Sequence, residues 1–147
     1  MATKFQLVID CADPERMVRF WTEALGYVTE PPPEGFESWT SFRRSIGLPD
    51  EENYEGHDSI IDPRGSGPRI WFQQVADAKQ VKNRVHIDIE ASGGRGLPLA
   101  ERKRRVDRAV KRLVERGATR LESADIPGLD HYAVPMLDPE GNEFDVN

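Results

Sequence analysis

The stretch His131–Asn147 reads HYAVPMLDPEGNEFDVN, and its reading decides the fold. It predicts a strand, a D-P-E-G turn and a second strand. Pro139 sets φ just after Asp138, and Gly141 supplies the permissive φ that such a turn needs. Beyond the turn the chain alternates, with Phe144 and Val146 on one face and Glu143 and Asp145 on the other. Asp145 therefore stands mid-strand and points away from the core. An earlier stretch, Asp58–Val75, reads DSIIDPRGSGPRIWFQQV and has the same plan of strand, D-P-x-G turn, strand.

Working outward, the two hairpins belong to a duplicated unit. The turns lie 76 residues apart (62 and 138), and beyond the two extra residues of the first turn, Ser66 and Gly67, the offset is 74, which sets Trp71 opposite Asp145. Upstream, FQLVID (Phe5–Asp10) and VHIDIE (Val85–Glu90) alternate alike, so that Gln6 falls opposite His86. Phe5, Leu7 and Ile9 match Val85, Ile87 and Ile89 as the apolar face. Each first strand leads to a helix ending in a glycine step, Leu25-Gly26 or Arg116-Gly117. The expected architecture is α+β: two modules, each a strand, a helix and then strands closing with the D-P-x-G hairpin. The first spans residues 1–76 with an insertion at 31–57, and the second spans 84–147.

Composition narrows the function classes. A net charge of −6 over 147 residues disfavours nucleic acid and anionic membrane as partners. No apolar run approaches a membrane span, and MATKFQLVID reads as a charged strand, not a signal peptide. The lone cysteine, Cys11, excludes an internal disulfide and fits a reducing cytoplasm. It reads as a small buried filler.

Asp13 is the expected N-cap of the first helix, with Pro14 at its first position and Gly26 as its stop. Met17, Phe20, Trp21, Ala24 and Leu25 recur at helical spacing and face the core. A short strand is expected near Tyr27–Glu30. The insertion that follows has a short helix over Glu37–Ile46 carrying Trp39, Phe42 and Ile46; it is either a lid or an ordinary packed excursion. In the second module ASGGRGLP, residues 91–98, is a turn with no phosphate-binding fingerprint. The helix over Leu99–Arg116 buries Leu99, Val106, Val110 and Leu113. Its many Arg and Lys residues, interleaved with Glu101, Asp107 and Glu115, form a solvated face.

Paired modules of this kind, the D-P-E-G-N-E-F turn before the last strand and a polar residue near the start of each first strand resemble the vicinal oxygen chelate superfamily. Within it the chain is most similar to glyoxalase-like proteins, over essentially its whole length apart from the insertion. The resemblance implies two βαβββ modules, each a curved mixed sheet forming a half-barrel, paired as one domain around a pocket, with a divalent ion held in metal-dependent members by one ligand from the first and last strand of each module. Carried to this chain those positions are Gln6, Trp71, His86 and Asp145. His86 offers an imidazole nitrogen, Asp145 a carboxylate and Gln6 an amide oxygen. Trp71 departs from the pattern, because an indole has no lone pair to give and fills the space of a carboxylate. Gln73 lies two residues along on the same face. A zinc, nickel, manganese or iron ion and no ion at all both remain open.

The resemblance therefore implies a small-molecule ligand, a homodimer and one of two activities. In the first, a lyase or isomerase of the glyoxalase type uses His86 and Asp145 as catalytic groups. In the second, a protein of the bleomycin-resistance type sequesters a drug-like molecule without chemistry. Substrate contacts are expected from Gln6, Val8, Trp71 and Gln73, and from Trp39 and Phe42 of the insertion. Asp10, Asp88 and Glu90 share the same alternating faces, and one of His131 and Tyr132 faces inward. A third reading is a partner domain that assists another enzyme.

Overall fold

In the computed structural model, which describes residues 1–50, 56–123 and 126–147, each D-P-x-G turn is clasped by its own aspartate. The Asp62 carboxylate accepts from the backbone N–H of Arg64, Ser66 and Gly67 at 2.9, 3.0 and 2.8 Å. The Asp138 carboxylate accepts from the N–H of Glu140 and Asn142 and from the Asn142 amide, between 2.9 and 3.1 Å. Gly65 and Gly141 take φ of 71° and 84°, which a side chain would strain. These side-chain bonds replace the ladder bonds that a turn cannot make.

The chain divides into two units, Met1–Ala76 and Asp77–Asn147. The first runs β1 (Gln6–Cys11), α1 (Pro14–Leu25), β2 (Val28–Thr29), α2 (Trp39–Ser45), β3 (Ser59–Ile61) and β4 (Arg69–Gln74). The second runs β5 (Asp88–Ile89), α3 (Leu99–Glu115), β6 (Thr119–Arg120), β7 (Val134–Leu137) and β8 (Glu143–Val146). Apart from α2, which lies in the insertion, both units are βαβββ in an α+β fold. The sheet orders agree, β1-β4-β3-β2 and β5-β8-β7-β6. In each, the first and last strands pair in parallel and the remaining neighbours antiparallel.

The register reproduces the offsets read from the sequence. Val8 pairs with Trp71, and Asp88 pairs with Asp145. Val8 and Asp88 are 80 apart, as Gln6 and His86 are; Trp71 and Asp145 are 74 apart. The two sheets are thus one pattern written twice.

Each sheet buries one face under its helix. In the first unit Ile60, Ile70 and Phe72 pack against Met17, Phe20, Trp21 and Ala24 of α1, and each of these seven is at most 7 % exposed. In the second, Phe144 and Val146 of β8 lie under α3, whose buried stripe is Val106, Val110 and Leu113, and their register partners on β7, Met136 and Val134, are buried as well. Burying a large apolar side chain is worth about 1.5–3 kcal/mol, so these stripes hold each unit together. Asp13 caps α1, its carboxylate accepting from Arg16 N at 3.0 Å, and Gly26 ends it in the left-handed conformation. Ser38 caps α2 in a reciprocal pair with Ser41. No helix among the described residues is long and apolar enough to cross a membrane.

Four expectations need correction. Phe5 and its counterpart Val85 are 69 and 76 % exposed, because each precedes the first paired residue of its strand. The strand expected over Val85–Glu90 is paired only at Asp88–Ile89; ahead of it the Ile87 carbonyl still accepts from Asp145 N at 3.0 Å, but no residue before Asp88 is paired. Likewise β7 begins at Val134, so His131 and Tyr132 lie outside the sheet and neither faces in along a strand; the Tyr132 hydroxyl donates to Asp107 of α3 at 2.7 Å. Arg102 is not part of a solvated face. It shares the buried stripe with Val106, Val110 and Leu113, its guanidinium donating to the Leu97 carbonyl at 3.0 Å and to the Asp130 carboxylate. A buried guanidinium is tolerable when every N–H finds an acceptor. Part of the insertion, residues 51–55, lies outside the described residues.

Candidate functional site

The open face of the second sheet gathers three donors. Asp88 and Asp145 stand side by side because β5 and β8 are parallel and these two residues share a register step. His86 lies two residues before Asp88, and the period of two returns its side chain to the same face. Its Nε2 is 3.2 Å from Asp88 Oδ1 and 3.8 Å from Asp145 Oδ2. One donor atom from each residue lies within 4.8 Å of the other two. The side chains are 43, 50 and 34 % exposed for His86, Asp88 and Asp145, so the group faces solvent. Behind it Phe144 and Val146 are buried, which fixes the strand that carries Asp145.

Chemically the group is one imidazole and two carboxylates. With the imidazole neutral it carries two formal negative charges. That matches the charge of a divalent ion, and mixed nitrogen and oxygen donors suit zinc, manganese, iron or nickel. The same three groups can also relay a proton.

The adjacent carboxylate, Glu143, is engaged elsewhere. It accepts from Asn83 N at 3.0 Å and from Lys79 Nζ at 3.2 Å. The Asn83 N–H, with help from the Lys79 ammonium, pulls its pKa down to about 2. Residues 77–83, which separate the two repeats in sequence, are thereby bound to β8.

The corresponding face of the first sheet is built differently. Arg69 donates to Glu30 at 2.8 and 2.6 Å, to Ser59 Oγ at 2.8 Å and to Gln6 Oε1 at 2.8 Å. The amide oxygen of Gln6 is therefore an acceptor for a guanidinium. Trp71, half-buried, donates its indole N–H to Asp58 at 3.0 Å. Val8, directly paired with Trp71, is 45 % exposed, and Gln73 is exposed on the same strand face. Trp39 and Phe42 are half-buried and, with Phe36, form an edge-to-face aromatic cluster: ring centroids are 5.9 Å apart for Trp39 and Phe42 and 5.3 Å for Phe36 and Phe42. The Trp39 indole donates to the Glu30 carbonyl at 3.1 Å. Gly56, at φ 75°, lies against Trp39, where an added Cβ would stand 2.3 Å from the tryptophan Cβ.

Of the residues expected to make a site, His86 and Asp145 are brought together in one unit. Gln6, Val8, Trp71 and Gln73 are brought together on the other. The group around His86 gains Asp88, which the sequence placed on the right face without giving it a role. The signal was present, since Asp88 lies two residues from His86 and falls opposite Val8 in the repeat.

A family model described as a glyoxalase-like domain matches residues 6–147. No curated protein matches the chain. Among solved structures, a glyoxalase/bleomycin resistance protein/dioxygenase family enzyme from Burkholderia phytofirmans PsJN is similar, with 17 % identity, a TM-score of 0.58, and coverage of 97 % of this chain and 94 % of that one. The fosfomycin resistance protein FosX from Listeria monocytogenes is 12 % identical with a TM-score of 0.59, covering 99 % of this chain and 90 % of its own. FosX from Mesorhizobium loti is 10 % identical with a TM-score of 0.56, covering 99 % and 91 %. At these identities the likeness is one of fold.

Proposed function

Because this chain belongs to the glyoxalase-like domain family, we propose that it takes up a small organic molecule beside a divalent ion held by His86, Asp88 and Asp145. The supporting observation is that His86 Nε2 stands 3.2 and 3.8 Å from two carboxylates on one open sheet face. Asp88 supplies the second negative charge that a trio of Gln6, His86 and Asp145 would lack. The Gln6 amide oxygen, engaged by Arg69, stays out of the ligand set. A bound ion would polarise a carbonyl or enediolate oxygen. Asp145, the least exposed of the three, is the general base of this reading, and His86 and Asp88 hold the donor geometry. The reaction class is that of a lyase or isomerase moving a proton beside a carbonyl. A cytoplasmic homodimer is the assembly we attach to it, checked by light scattering.

The test is elemental analysis of protein purified without chelator, then calorimetric titration with zinc, nickel, manganese and iron. Wild-type binding should be lost in His86→Ala and unchanged in Gln6→Ala. Equal, millimolar-weak binding by wild type and His86→Ala would overturn the reading.

A second reading is sequestration without chemistry. It is favoured by Trp71, whose indole is fixed by Asp58 beside the exposed Val8, making a flat apolar wall of the kind that stacks on an aromatic ligand. Tight binding of such a ligand with tryptophan quenching, lost in Trp71→Ala and accompanied by no turnover, would favour it.

A further inference from the structure

We propose that Glu143 is a positioning residue for the group of three: by tying residues 77–83 to the start of β8, it sets where His86 stands over Asp88 and Asp145. This rests on the reading of those three residues as a donor group. Glu143 lies two residues before Asp145 and therefore on the same face of β8. By chemistry and spacing it is a ready third carboxylate for that group. Its oxygens are taken instead by the chain that delivers the histidine. Oε2 accepts from Asn83 N at 3.0 Å, and Lys79 Nζ lies 3.2 Å from Oε1 and 3.0 Å from Oε2. Lys79 Nζ also donates to the Val81 carbonyl at 2.7 Å, drawing the segment into a closed loop. Both side chains of the pair are 23 % exposed, so the contact is partly shielded from water.

The backbone around His86 shows why this matters. Downstream, the Ile87 carbonyl accepts from Asp145 N at 3.0 Å. Upstream, Asn83 N is held by Glu143. His86 sits between these two anchors and outside the paired residues of β5. Releasing the upstream anchor would leave it on a fraying strand end, with its imidazole free to swing from the carboxylates.

The other unit supplies the contrast. Gln6 and Arg69 occupy the positions that correspond to His86 and Glu143, at offsets of 80 and 74, and there the two side chains bond directly at 2.8 Å. Were Glu143 to do the same, it would engage His86 itself. Turned to Lys79 and Asn83, it leaves the imidazole to Asp88 and Asp145.

The experiment uses the full chain in two states. In metal-free protein labelled at histidine, the ring signals of the three histidines are recorded for wild type, Glu143→Ala, Glu143→Gln and Lys79→Met. Glu143→Ala should move the His86 ring signals and leave those of His57 and His131 in place. Glu143→Gln, which keeps an oxygen for Asn83 N, should move them less. Manganese or zinc titration should then show about tenfold weaker binding in Glu143→Ala, the usual scale for a partner outside the ligand shell. Lys79→Met, a surface change away from the buried face of β8, guards against a variant that simply fails to fold. Unmoved His86 signals in both Glu143→Ala and Lys79→Met would overturn the proposal whatever the titration shows. Ring signals that move in a wild-type background that binds no ion would uphold the positioning role and sink the metal reading alone.

Discussion

The two sheets share strand order, register and turn chemistry, yet their open faces do opposite things. In the first, Arg69 engages Gln6, Glu30 and Ser59, and Asp58 engages the Trp71 indole, while Gln73 stays exposed. In the second, the positions that correspond to Gln6, Val8 and Trp71 hold His86, Asp88 and Asp145, which meet one another and solvent. Duplication thus preserved the scaffold and released the side chains. In the proposed reading, the face whose polar groups are largely engaged is a wall, and the face whose donors are grouped and exposed is the site.

The sharpest way to break the comparison lies in the buried face. The positions of Ile70 and Phe72 in β4 correspond to Phe144 and Val146 in β8, so the same two spaces are filled in reversed order. Phe144→Ala should cost about 3–5 kcal/mol, the usual range for emptying a phenylalanine site, measured by urea unfolding. The double exchange Phe144→Ile with Val146→Phe restores the order of the first unit and should cost under about 1.5 kcal/mol, as volume-conserving swaps do. A double exchange as costly as the alanine variant would show that the two cores are packed on different plans.

A smaller effect is expected at the turns. Asp138 is 3 % exposed, whereas Asp62 lies nearer solvent. Asp138→Ala should cost about 1–3 kcal/mol by leaving the half-buried N–H groups of Glu140 and Asn142 without their acceptor. Asp62→Ala should cost less, because water can replace its carboxylate. Equal losses by thermal denaturation would erase this difference between the repeats.

The smallest effect is one of pH. Glu143 has its folded pKa depressed from 4.5 to about 2. The stabilisation is therefore fully present above the ordinary carboxylate range and is lost as pH falls through about 2. The Asn83 amide signal should hold its native position at pH 4 and move only toward pH 2. In the first unit Arg69 stands at the corresponding position, so Gln6 should show no such acid limb.

Much of this was legible in the chain itself. The D-P-x-G pair, the offsets and the glycine steps pointed to two βαβββ units, because turn chemistry and alternation are local properties. The offsets of 80 and 74 that the two registers repeat also came from them, whereas the pairing of Asp88 with Asp145 did not. What escaped depends on distant partners. Nothing near Gln6 in sequence says that its amide meets Arg69, 63 residues away. Asp88 looked like a solvated acid at a strand end until β8 was laid beside it. Arg102 fell on the helical stripe of Val106, Val110 and Leu113, but its charge argued for solvent until the Leu97 carbonyl and Asp130 came into reach.

That arginine carries a lesson for how this scaffold can vary. One side chain grips the loop entering α3, through Leu97, and the chain leading to β7, through the carbonyl and carboxylate of Asp130. Neither segment can lengthen or shift alone without stranding a cation in an apolar seam. Among relatives that keep an arginine here, the lengths of these two connections should change together, and where it is absent they should drift independently.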